Sequence, residues 1–258
     1  MSLTTKNFST GYQDQEVIKS ITLTLENLEW LGIIGSNGSG KSTFLKGISR
    51  ILNASSGAVY LNHQNIHWTS SQEIAREISV LPQQVKSDLQ MTVFELVCLG
   101  RSPHKRWWEN DLNKEDLIKV EESLALTDMT AFKSKSINTL SGGQRQRAYL
   151  SLALAQDAKT ILLDEPTSFL DVNYQLQFLD LLKRLNKEYG LSIITVIHDV
   201  NLASRYCDRI AVLKAGKLIA IDSPKNVLSP ALMKKAFNVE TCRIQTPIGV
   251  QMCIIKSC

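Results

Sequence analysis

A run of small residues ending in Lys-Ser-Thr has the residue types and spacing that bind phosphate. Its members are Gly35, Ser36, Asn37, Gly38, Ser39, Gly40, Lys41, Ser42 and Thr43. They fit the pattern G-x-x-x-x-G-K-[ST], in which glycines let backbone N–H groups point inward at an anion. Lys41 can reach the β- and γ-phosphates of a nucleotide, and the Ser42 hydroxyl can coordinate Mg²⁺. A Gly- and Ser-rich connector that matches by chance is the alternative.

The residues on either side supply the setting that this motif needs. The apolar run 30–34 predicts a buried strand, and residues 44–48 predict the first turns of a helix. The N-terminus of such a helix carries partial positive charge, which adds to the attraction for an anion. A strand, a glycine-rich loop and a helix in this order favour a phosphate site over the chance match.

Two carboxylates follow a second apolar run. Residues 160–163 predict a central parallel strand, and Asp164 and Glu165 stand at its C-terminal end, before Pro166. Ligands bind at this end of the strands in open α/β sheets. Phosphoryl transfer needs one group to hold a metal ion and another to position the attacking water, so adjacent acids suit it. The alternative is a solvated end of a strand.

A second anion site is predicted at Ser141, Gly142, Gly143 and Gln144. These residues stand at the start of a helix predicted over 143–157, whose first N–H groups and serine hydroxyl can bind an anion. One chain thus carries two phosphate sites, and a single γ-phosphate gains from both only if they close on it. A serine cap before a glycine-rich turn is the alternative.

The hydrophobic pattern predicts an α/β chain with a helical insertion. Alternation predicts antiparallel strands at 3–8 and 17–25, with a turn at Gly11–Tyr12, and helical periodicity dominates from 91 to 155. One helical face is predicted for Val93, Leu96, Val97 and Gly100, and another for Leu117, Val120, Leu124 and Leu126. Further strands are predicted at 57–61, 78–81, 160–165, 191–197, 209–214 and 217–221, with one or two in the tail 240–258, and further helices at 173–188 and from Pro224 and Pro230.

Composition narrows the class of protein. A net charge of +4 over 258 residues is too weak to indicate nucleic-acid binding. The five cysteines and four histidines show no metal-ligand spacing, and the scattered cysteines indicate a reducing cytosol rather than a disulfide framework. The sequence shows no signal peptide and no apolar run of the ~18–20 residues that span a bilayer. If the protein works at a membrane, we expect it to dock onto another chain.

The motifs together resemble those of an ATP-binding-cassette (ABC) ATPase in order and approximate spacing. They are Gly35–Thr43, Gln83, Leu140–Gln144, Thr160–Glu165, Ser168–Asp171 and His198. The resemblance covers nearly the whole chain and implies an α/β fold: a P-loop ATPase core of mixed sheet and helices, with an antiparallel β edge subdomain and an inserted α-helical subdomain. It divides the chain into a core at 1–85 and 156–240, a helical subdomain at 86–155 and a C-terminal tail at 241–258.

The resemblance also implies roles for single residues around ATP. Asp164 would hold Mg²⁺, and Glu165 would orient the attacking water. Gln83 would contact Mg²⁺ or water where the helical subdomain joins the core, and Gln84 is an immediate alternative. His198 would contact the γ-phosphate, although a histidine after a buried strand is usually a satisfied, capped side chain.

The implied assembly is a head-to-tail homodimer that buries two ATP molecules between Gly35–Thr43 of one copy and Ser141–Gln144 of the other. Tyr12 would stack on adenine, and a tyrosine packed on the sheet edge is the alternative. Asp171 would bridge the two copies. Phe169 stands where the family usually has a small residue, and it would pack into the interface or the core.

Within the family, the chain resembles the ATPase subunits of importers. Gly100–His104 is similar to the G-R-Y-P-H element of ferric-siderophore, haem and cobalamin uptake ATPases, with Ser102 in place of tyrosine, and residues 195–208 are similar to that group as well. We expect an iron–siderophore as the cargo, with cobalamin or haem next. A soluble ABC ATPase that acts on a macromolecule and a non-catalytic nucleotide switch are the alternatives.

The importer resemblance implies partners and a location. Integral membrane permease subunits would be direct partners, a substrate-binding protein an indirect one, and nucleic acid none. The chain would be peripheral at the cytoplasmic face of the cell membrane. The region Gln83–Glu109 would receive a permease helix, and Trp107–Trp108 would line that groove, meet lipid headgroups or simply pack against a helix.

Overall fold

The computed structural model describes residues 2–13, 15–83, 90–106, 111–168 and 170–257. The strands are β1 Leu3–Tyr12, β2 Gln15–Leu25, β3 Trp30–Ile34, β4 Ala54–Leu61, β5 Gln64–Asn65, β6 Ile78–Leu81, β7 Thr160–Asp164, β8 Ser192–Val196, β9 Arg209–Lys214, β10 Lys217–Asp222, β11 Val239–Thr246 and β12 Gly249–Ser257. The α-helices are α1 Lys41–Ile48, α2 Ser71–Glu77, α3 Val93–Cys98, α4 Lys114–Leu126, α5 Gly142–Ala155, α6 Val172–Tyr189, α7 Val200–Tyr206, α8 Pro224–Val227 and α9 Pro230–Phe237. Short 3-10 helices cover Ile66–Trp68, Leu99–His104, Thr130–Phe132 and Ile137–Thr139. The predictions for Gln84, Trp107–Trp108 and Phe169 lie outside the described residues.

The chain divides into two compact units, one of residues 1–69 with 190–258 and the other of residues 70–189. The first unit contains an antiparallel sheet with the strand order β2-β1-β4-β5. The predicted alternation holds in the second half of β2, where Ile21, Leu23 and Leu25 are buried and Thr22 and Thr24 between them are less so. The predicted turn at Gly11–Tyr12 is wrong, because both residues belong to β1 and pair with β2. Gln13, with a left-handed φ of 50°, reverses the chain instead.

A mixed sheet forms the other half of the first unit. Strand β3 pairs in parallel with both β8 and β9, and β10 adds antiparallel to β9. Strands β3 and β8 are buried along their whole length, which explains their continuous apolar runs. The predicted α/β class, with a mixed sheet and an antiparallel sheet, is confirmed.

The C-terminal residues of the first unit form a β-hairpin, so the tail contains two strands. Strands β11 and β12 pair antiparallel from Val239 opposite Ser257 to Thr246 opposite Gly249. Helix α7 anchors β12, since Asn201 hydrogen-bonds both the carbonyl (3.3 Å) and the N–H (2.7 Å) of Met252. Ser204 donates a further hydrogen bond to the Val250 carbonyl (2.6 Å).

The second unit combines a parallel strand pair with the predicted helical region. Strands β6 and β7 pair in parallel from Ile78 opposite Thr160 to Leu81 opposite Leu163. Helices α3, α4 and α5 share one apolar cluster, whose buried members are Val93, Leu96, Val97, Val120, Leu124, Met129, Ile137, Leu140, Ala148 and Ala155. The predicted face of α3 is confirmed for Val93, Leu96 and Val97, whereas Gly100 follows α3 in the 3-10 helix Leu99–His104. On α4, Val120 and Leu124 are buried in this cluster, whereas Leu117 is 39% exposed.

The buried face of α4 also contains an ion pair. Arg101 Nε donates to Asp116 Oδ1 at 2.9 Å, and both side chains are almost fully buried. Arg101 also donates to the Ala155 carbonyl at the end of α5 (2.7 Å), and His104 Nε2 lies 2.8 Å from the Gln156 carbonyl. Through these contacts, the 3-10 helix Leu99–His104 is held against α4 and the C-terminal end of α5. Breaking such a buried pair from one side leaves an uncompensated charge.

Among the residues described above, no helix has both the length and the apolar character needed to cross a bilayer.

Candidate functional site

The predicted phosphate loop lies between β3 and α1 in the first unit. Gly40 is the N-cap of α1 with a left-handed φ of 99°, and its carbonyl accepts a hydrogen bond from the Phe44 N–H (2.8 Å). Lys41 Nζ donates to the carbonyls of Gly35 (3.0 Å) and Ser36 (3.2 Å). The ammonium group is therefore held inside the loop, close to the helix N-terminus. A cation and a helix N-terminus at one point make an anion site.

Two further features of the loop suit a polyphosphate. The Ser39 hydroxyl is buried, and it has no hydrogen-bond partner among the described residues. Buried polar groups are normally hydrogen-bonded, so this hydroxyl is available to a ligand oxygen. Gly35 passes so close to the Leu213 carbonyl that a Cβ would collide with it, and the Gly216 N–H donates to the Ser39 carbonyl (3.0 Å). The turn after β9 thus fixes the shape of the loop.

Tyr12 lies at the end of β1 and is 44% exposed. Lys46 of α1 donates to the phenol oxygen (3.3 Å), and its Nζ lies 5.7 Å from the ring centroid. The exposed ring lies beside α1, the helix that follows the phosphate loop. An exposed aromatic ring at this place can stack on a base.

His198 follows β8 and leaves the sheet at the same edge as the phosphate loop. The Ile197 N–H donates to the Ile33 carbonyl (3.1 Å), and β3 and β8 are parallel neighbours. His198 is exposed, and the adjacent Asp199 caps α7 through the N–H groups of Asn201 and Leu202. His198 also borders a cavity of about 580 Å³ that extends toward the C-terminal hairpin.

The two predicted acids lie in the second unit, at the end of β7. Asp164 is the last residue of the strand and is 8% exposed. Glu165 has a left-handed φ of 51°, which is uncommon for a residue with a side chain and often marks a functional site. Its carboxylate accepts hydrogen bonds from the Gln83 amide and, at 3.2 Å, from the Ser168 hydroxyl. The structure therefore brings Gln83, Ser168 and Glu165 together at the end of β7.

The predicted second anion site forms the start of α5 in the second unit. Ser141 is the N-cap, its hydroxyl accepts from the Gln144 N–H (3.3 Å), and the Gln144 side chain accepts from the Ser141 N–H (3.1 Å). This capping box fixes the helix start at Gly142, one residue before the predicted start. Ser141 and Gly142 are exposed, and a side chain added at Gly142 would meet nothing within 4 Å. The helix N-terminus is thus open to an outside anion.

Asp171 and Tyr174 link the second anion site to the start of α6. Asp171 is exposed, and its Oδ1 accepts from the Tyr174 N–H (3.0 Å). A Cβ added at Gly143 would lie 3.2 Å from the Tyr174 ring. Sequence reasoning missed Tyr174 and the contact of Ser168 with Glu165. The sequence offers one local signal for Tyr174, which is its position three residues after Asp171, at the start of a predicted helix.

Within residues 2–13, 15–83, 90–106, 111–168 and 170–257, no three His, Cys, Asp or Glu side chains lie close enough to hold a metal ion. Magnesium sites in nucleotide enzymes do not need one, because one or two protein oxygens combine with phosphate oxygens and water. A carboxylate such as Asp164 and a hydroxyl such as Ser42 have the required oxygen chemistry.

The family model described as ABC transporter matches residues 18–168 of this chain. Two curated relatives align over almost all of it. The Achromobactin transport ATP-binding protein CbrD of Dickeya dadantii is 40% identical over 243 residues, which are 94% of this chain and 90% of the relative. The Iron(3+)-hydroxamate import ATP-binding protein FhuC of Bacillus subtilis is 40% identical over 246 residues, which are 95% of this chain and 91% of the relative.

Solved structures share the fold. One described as an inward-facing, metal-chelate type ABC transporter superposes with a TM-score of 0.84 at 24% identity, over 99% of this chain and 96% of that chain. At this identity the likeness concerns the fold alone. The ATP-binding cassette MJ0796, a dimer in a post-hydrolysis state with ADP and Pi, superposes with a TM-score of 0.72 at 29% identity, over 86% of this chain and 98% of that chain.

Proposed function

This chain belongs to the ABC transporter family, and we propose that it hydrolyses ATP to drive the import of an iron–siderophore complex through a separate membrane permease. The observation that carries the proposal is 40% identity over nearly the full chain with the ATP-binding subunits for achromobactin transport and iron(3+)-hydroxamate import. Haem and cobalamin are the next candidates for the cargo.

The chemistry within the chain divides between binding and positioning. Lys41 and the N-terminus of α1 bind the phosphates, with Ser36 to Thr43 completing the loop, and Tyr12 stacks on adenine. Glu165 holds the attacking water, with its carboxylate oriented by Gln83 and Ser168. His198 contacts the γ-phosphate. Positioning and charge neutralisation are the main requirements of phosphoryl transfer.

Mg²⁺ fits the oxygen ligands that the chain offers. Asp164 and Ser42 would hold it, with Gln83 near its water shell. When bound, the ion neutralises charge on the β- and γ-phosphate oxygens. The buried position of Asp164 and the hydroxyl at the start of α1 support this assignment.

Two copies of the chain complete each site. Ser141, Gly142 and Gly143 of one copy bind the γ-phosphate that the phosphate loop of the other copy holds, and Asp171 contacts the partner across the interface. The open N-terminus of α5 supports this arrangement, because an exposed, capped helix start can receive a phosphate. The dimeric state of the cassette MJ0796 agrees with it.

The remaining partners follow from the import function. Permease subunits anchor the chain at the cytoplasmic face of the membrane, and a substrate-binding protein delivers the cargo to the permease. The region Gln83–Glu109 is the part that we expect to receive a permease helix. Residues 86–155 form the helical subdomain, and residues 1–85 and 156–240 form the ATPase core.

Reconstitution tests this proposal. The membrane partner is co-purified with the chain, placed in liposomes and supplied with its binding protein loaded with an iron(3+)-hydroxamate, haem or cobalamin. We expect the iron(3+)-hydroxamate to stimulate ATP turnover several-fold and to accumulate inside, and the same complex with Glu165→Gln to do neither.

Two results would overturn it. Stimulation by haem or cobalamin alone would remove the siderophore assignment while leaving the importer. Co-purification with ribosomes or nucleic acid, and with no membrane protein, would favour the alternative of an ABC ATPase that acts on a macromolecule.

A further inference from the structure

The C-terminal hairpin brings together two cysteines whose separation in the sequence matches no metal-binding or disulfide motif. In the register of β11 and β12, Cys242 stands directly opposite Cys253. Both thiols are free and exposed. Their neighbours Thr241 and Met252 are buried, so the cysteines lie on the outer face of the hairpin.

Directly opposed residues of an antiparallel pair meet the geometric condition for a disulfide. Their side chains point to the same face with Cβ atoms about 4.5–5.5 Å apart, and less in the non-hydrogen-bonded pairs. Disulfides have Cα atoms about 4.4–6.8 Å apart and Cβ atoms about 3.5–4.5 Å apart. A small local adjustment of a two-stranded hairpin covers the difference.

We propose that Cys242 and Cys253 form a reversible disulfide on the outer face of the C-terminal hairpin. The oxidant is a low-molecular-weight disulfide such as glutathione disulfide. One protein thiolate attacks it, forms a mixed disulfide and releases one glutathione thiolate. The second protein thiolate then attacks the protein sulfur of the mixed disulfide and expels the second glutathione. The net reaction converts two protein thiols and one disulfide into one protein disulfide and two small thiols, and glutathione reverses it.

The other described cysteines do not share this chemistry. Cys207 is fully buried, and burial raises its pKa, as burial does for the half-buried Cys98. The thiolate is the form that reacts, so these two thiols are poor nucleophiles. A soft metal is a weaker candidate than a disulfide, because two thiolates leave a tetrahedral site half filled and the described residues offer no third ligand group.

The position of the pair gives the disulfide a local effect. Asn201 and Ser204 of α7 hold β12 at Met252 and Val250, next to Cys253. Half of the residues of β11 are exposed, and the strand pairs with β12 alone among the described strands. A covalent link between Cys242 and Cys253 would therefore fasten β11 to the strand that α7 already holds.

Peptide mapping tests the proposal on the full chain. Reduced protein is equilibrated with glutathione disulfide and glutathione at several ratios, the free thiols are alkylated, and the protein is digested with trypsin. Cleavage after Lys235, Arg243 and Lys256 separates the two cysteines, so the expected disulfide joins peptides 236–243 and 244–256. Oxidation should also slow amide hydrogen exchange in both strands.

Matched variants decide which thiols react. Cys258→Ser should retain the linked peptides, because the terminal cysteine takes no part. Cys242→Ser and Cys253→Ser should each lose the link and keep a stable glutathione adduct on the remaining thiol. The proposal fails if the link joins peptide 257–258, if Cys258→Ser abolishes it, or if Cys242 and Cys253 carry separate glutathione adducts in one molecule without forming a bond.

Discussion

Gln83 donates a side-chain hydrogen bond to the Glu165 carboxylate, and each residue stands two positions beyond a paired strand residue, Leu81 or Leu163. The parallel pairing of β6 and β7 therefore delivers both side chains to one point. Ser168 donates to the same carboxylate oxygen, Oε2. With one oxygen held by two donors, the orientation of the carboxylate is fixed, which is what a water-positioning group requires.

Replacing Glu165 with glutamine should stop turnover without removing ATP binding. The amide cannot accept a proton from the attacking water, and a positioned general base typically contributes ~10²–10⁴-fold in rate. We expect kcat to fall by that amount while the Kd for ATP stays near the wild-type value. Steady-state hydrolysis and equilibrium nucleotide binding measure the two quantities. Ser168→Ala is the matched control and should lower kcat less, because Gln83 still holds the carboxylate. Hydrolysis at the wild-type rate in Glu165→Gln would contradict the assignment.

Gln83→Ala tests whether the glutamine acts through Glu165. Alone, it should lower kcat by less than Glu165→Gln does, because the water-positioning carboxylate remains. Combined with Glu165→Gln, it should cause little further loss, since residues that work as one unit are not additive. The measurement is a double-mutant cycle on kcat. Full additivity of the two losses would show that Gln83 acts independently, for example at the metal.

Two substitutions of Ser141 distinguish the effect of a negative charge at this position from the effect of losing the helix cap. Asp and Asn are both good N-cap residues, and Asp near a helix N-terminus is stabilising, so neither Ser141→Asp nor Ser141→Asn should weaken α5. Only Asp places a negative charge where we propose that a γ-phosphate binds. We expect Ser141→Asp to reduce turnover by about 10²-fold or more, the scale of losing one charge-stabilising donor, with ATP binding to the monomer intact. Sedimentation of the Glu165→Gln background with ATP should give dimers with Ser141→Asn and monomers with Ser141→Asp. Equal turnover in the two variants would rule out a phosphate at this helix start.

The sequence predicted the elements whose signal is local and missed contacts that depend on pairing over distance. Apolar runs located β3, β7 and β8 because each of these strands is buried along its whole length. The sequence did not show that Gln83 contacts Glu165, because that contact depends on the parallel pairing of β6 with β7. Local periodicity could not show that the buried polar pair Arg101 and Asp116 lies on the inner side of α4, because Arg101 comes from a distant part of the sequence. The same limit applies to Tyr174 beside Gly143 and to Cys242 opposite Cys253, because strand register and helix contacts are set by the fold.

Removing Arg101 should destabilise the second unit. Arg101→Met leaves Asp116 charged and buried without its partner, and breaking a buried pair from one side typically costs about 3–5 kcal/mol. In chemical denaturation, we expect this variant to be half unfolded at a lower concentration of guanidinium chloride than the wild type. Arg101→Met with Asp116→Asn should recover part of the loss, because no unpaired charge remains and the amide can still accept from the Asn113 N–H. A double variant less stable than Arg101→Met would contradict this explanation.

The Cys207 thiol should make the stability of the protein fall at high pH. Burial raises its pKa above the ordinary value of 9.0, and the nearby charges of Asp208 and Glu29 raise it further. Above about pH 9 the unfolded chain loses this proton while the folded chain keeps it, so unfolding releases a proton. The free energy of unfolding then decreases as pH rises, by at most about 1.4 kcal/mol per pH unit for one group. Cys207→Ala lacks this thiol. Its free energy of unfolding should differ from that of the wild type by a constant amount below pH 9, and it should decrease less steeply than that of the wild type above pH 9. Denaturation curves at pH 7 to 10.5 measure the difference, and parallel declines in the two proteins would show that the thiol titrates normally.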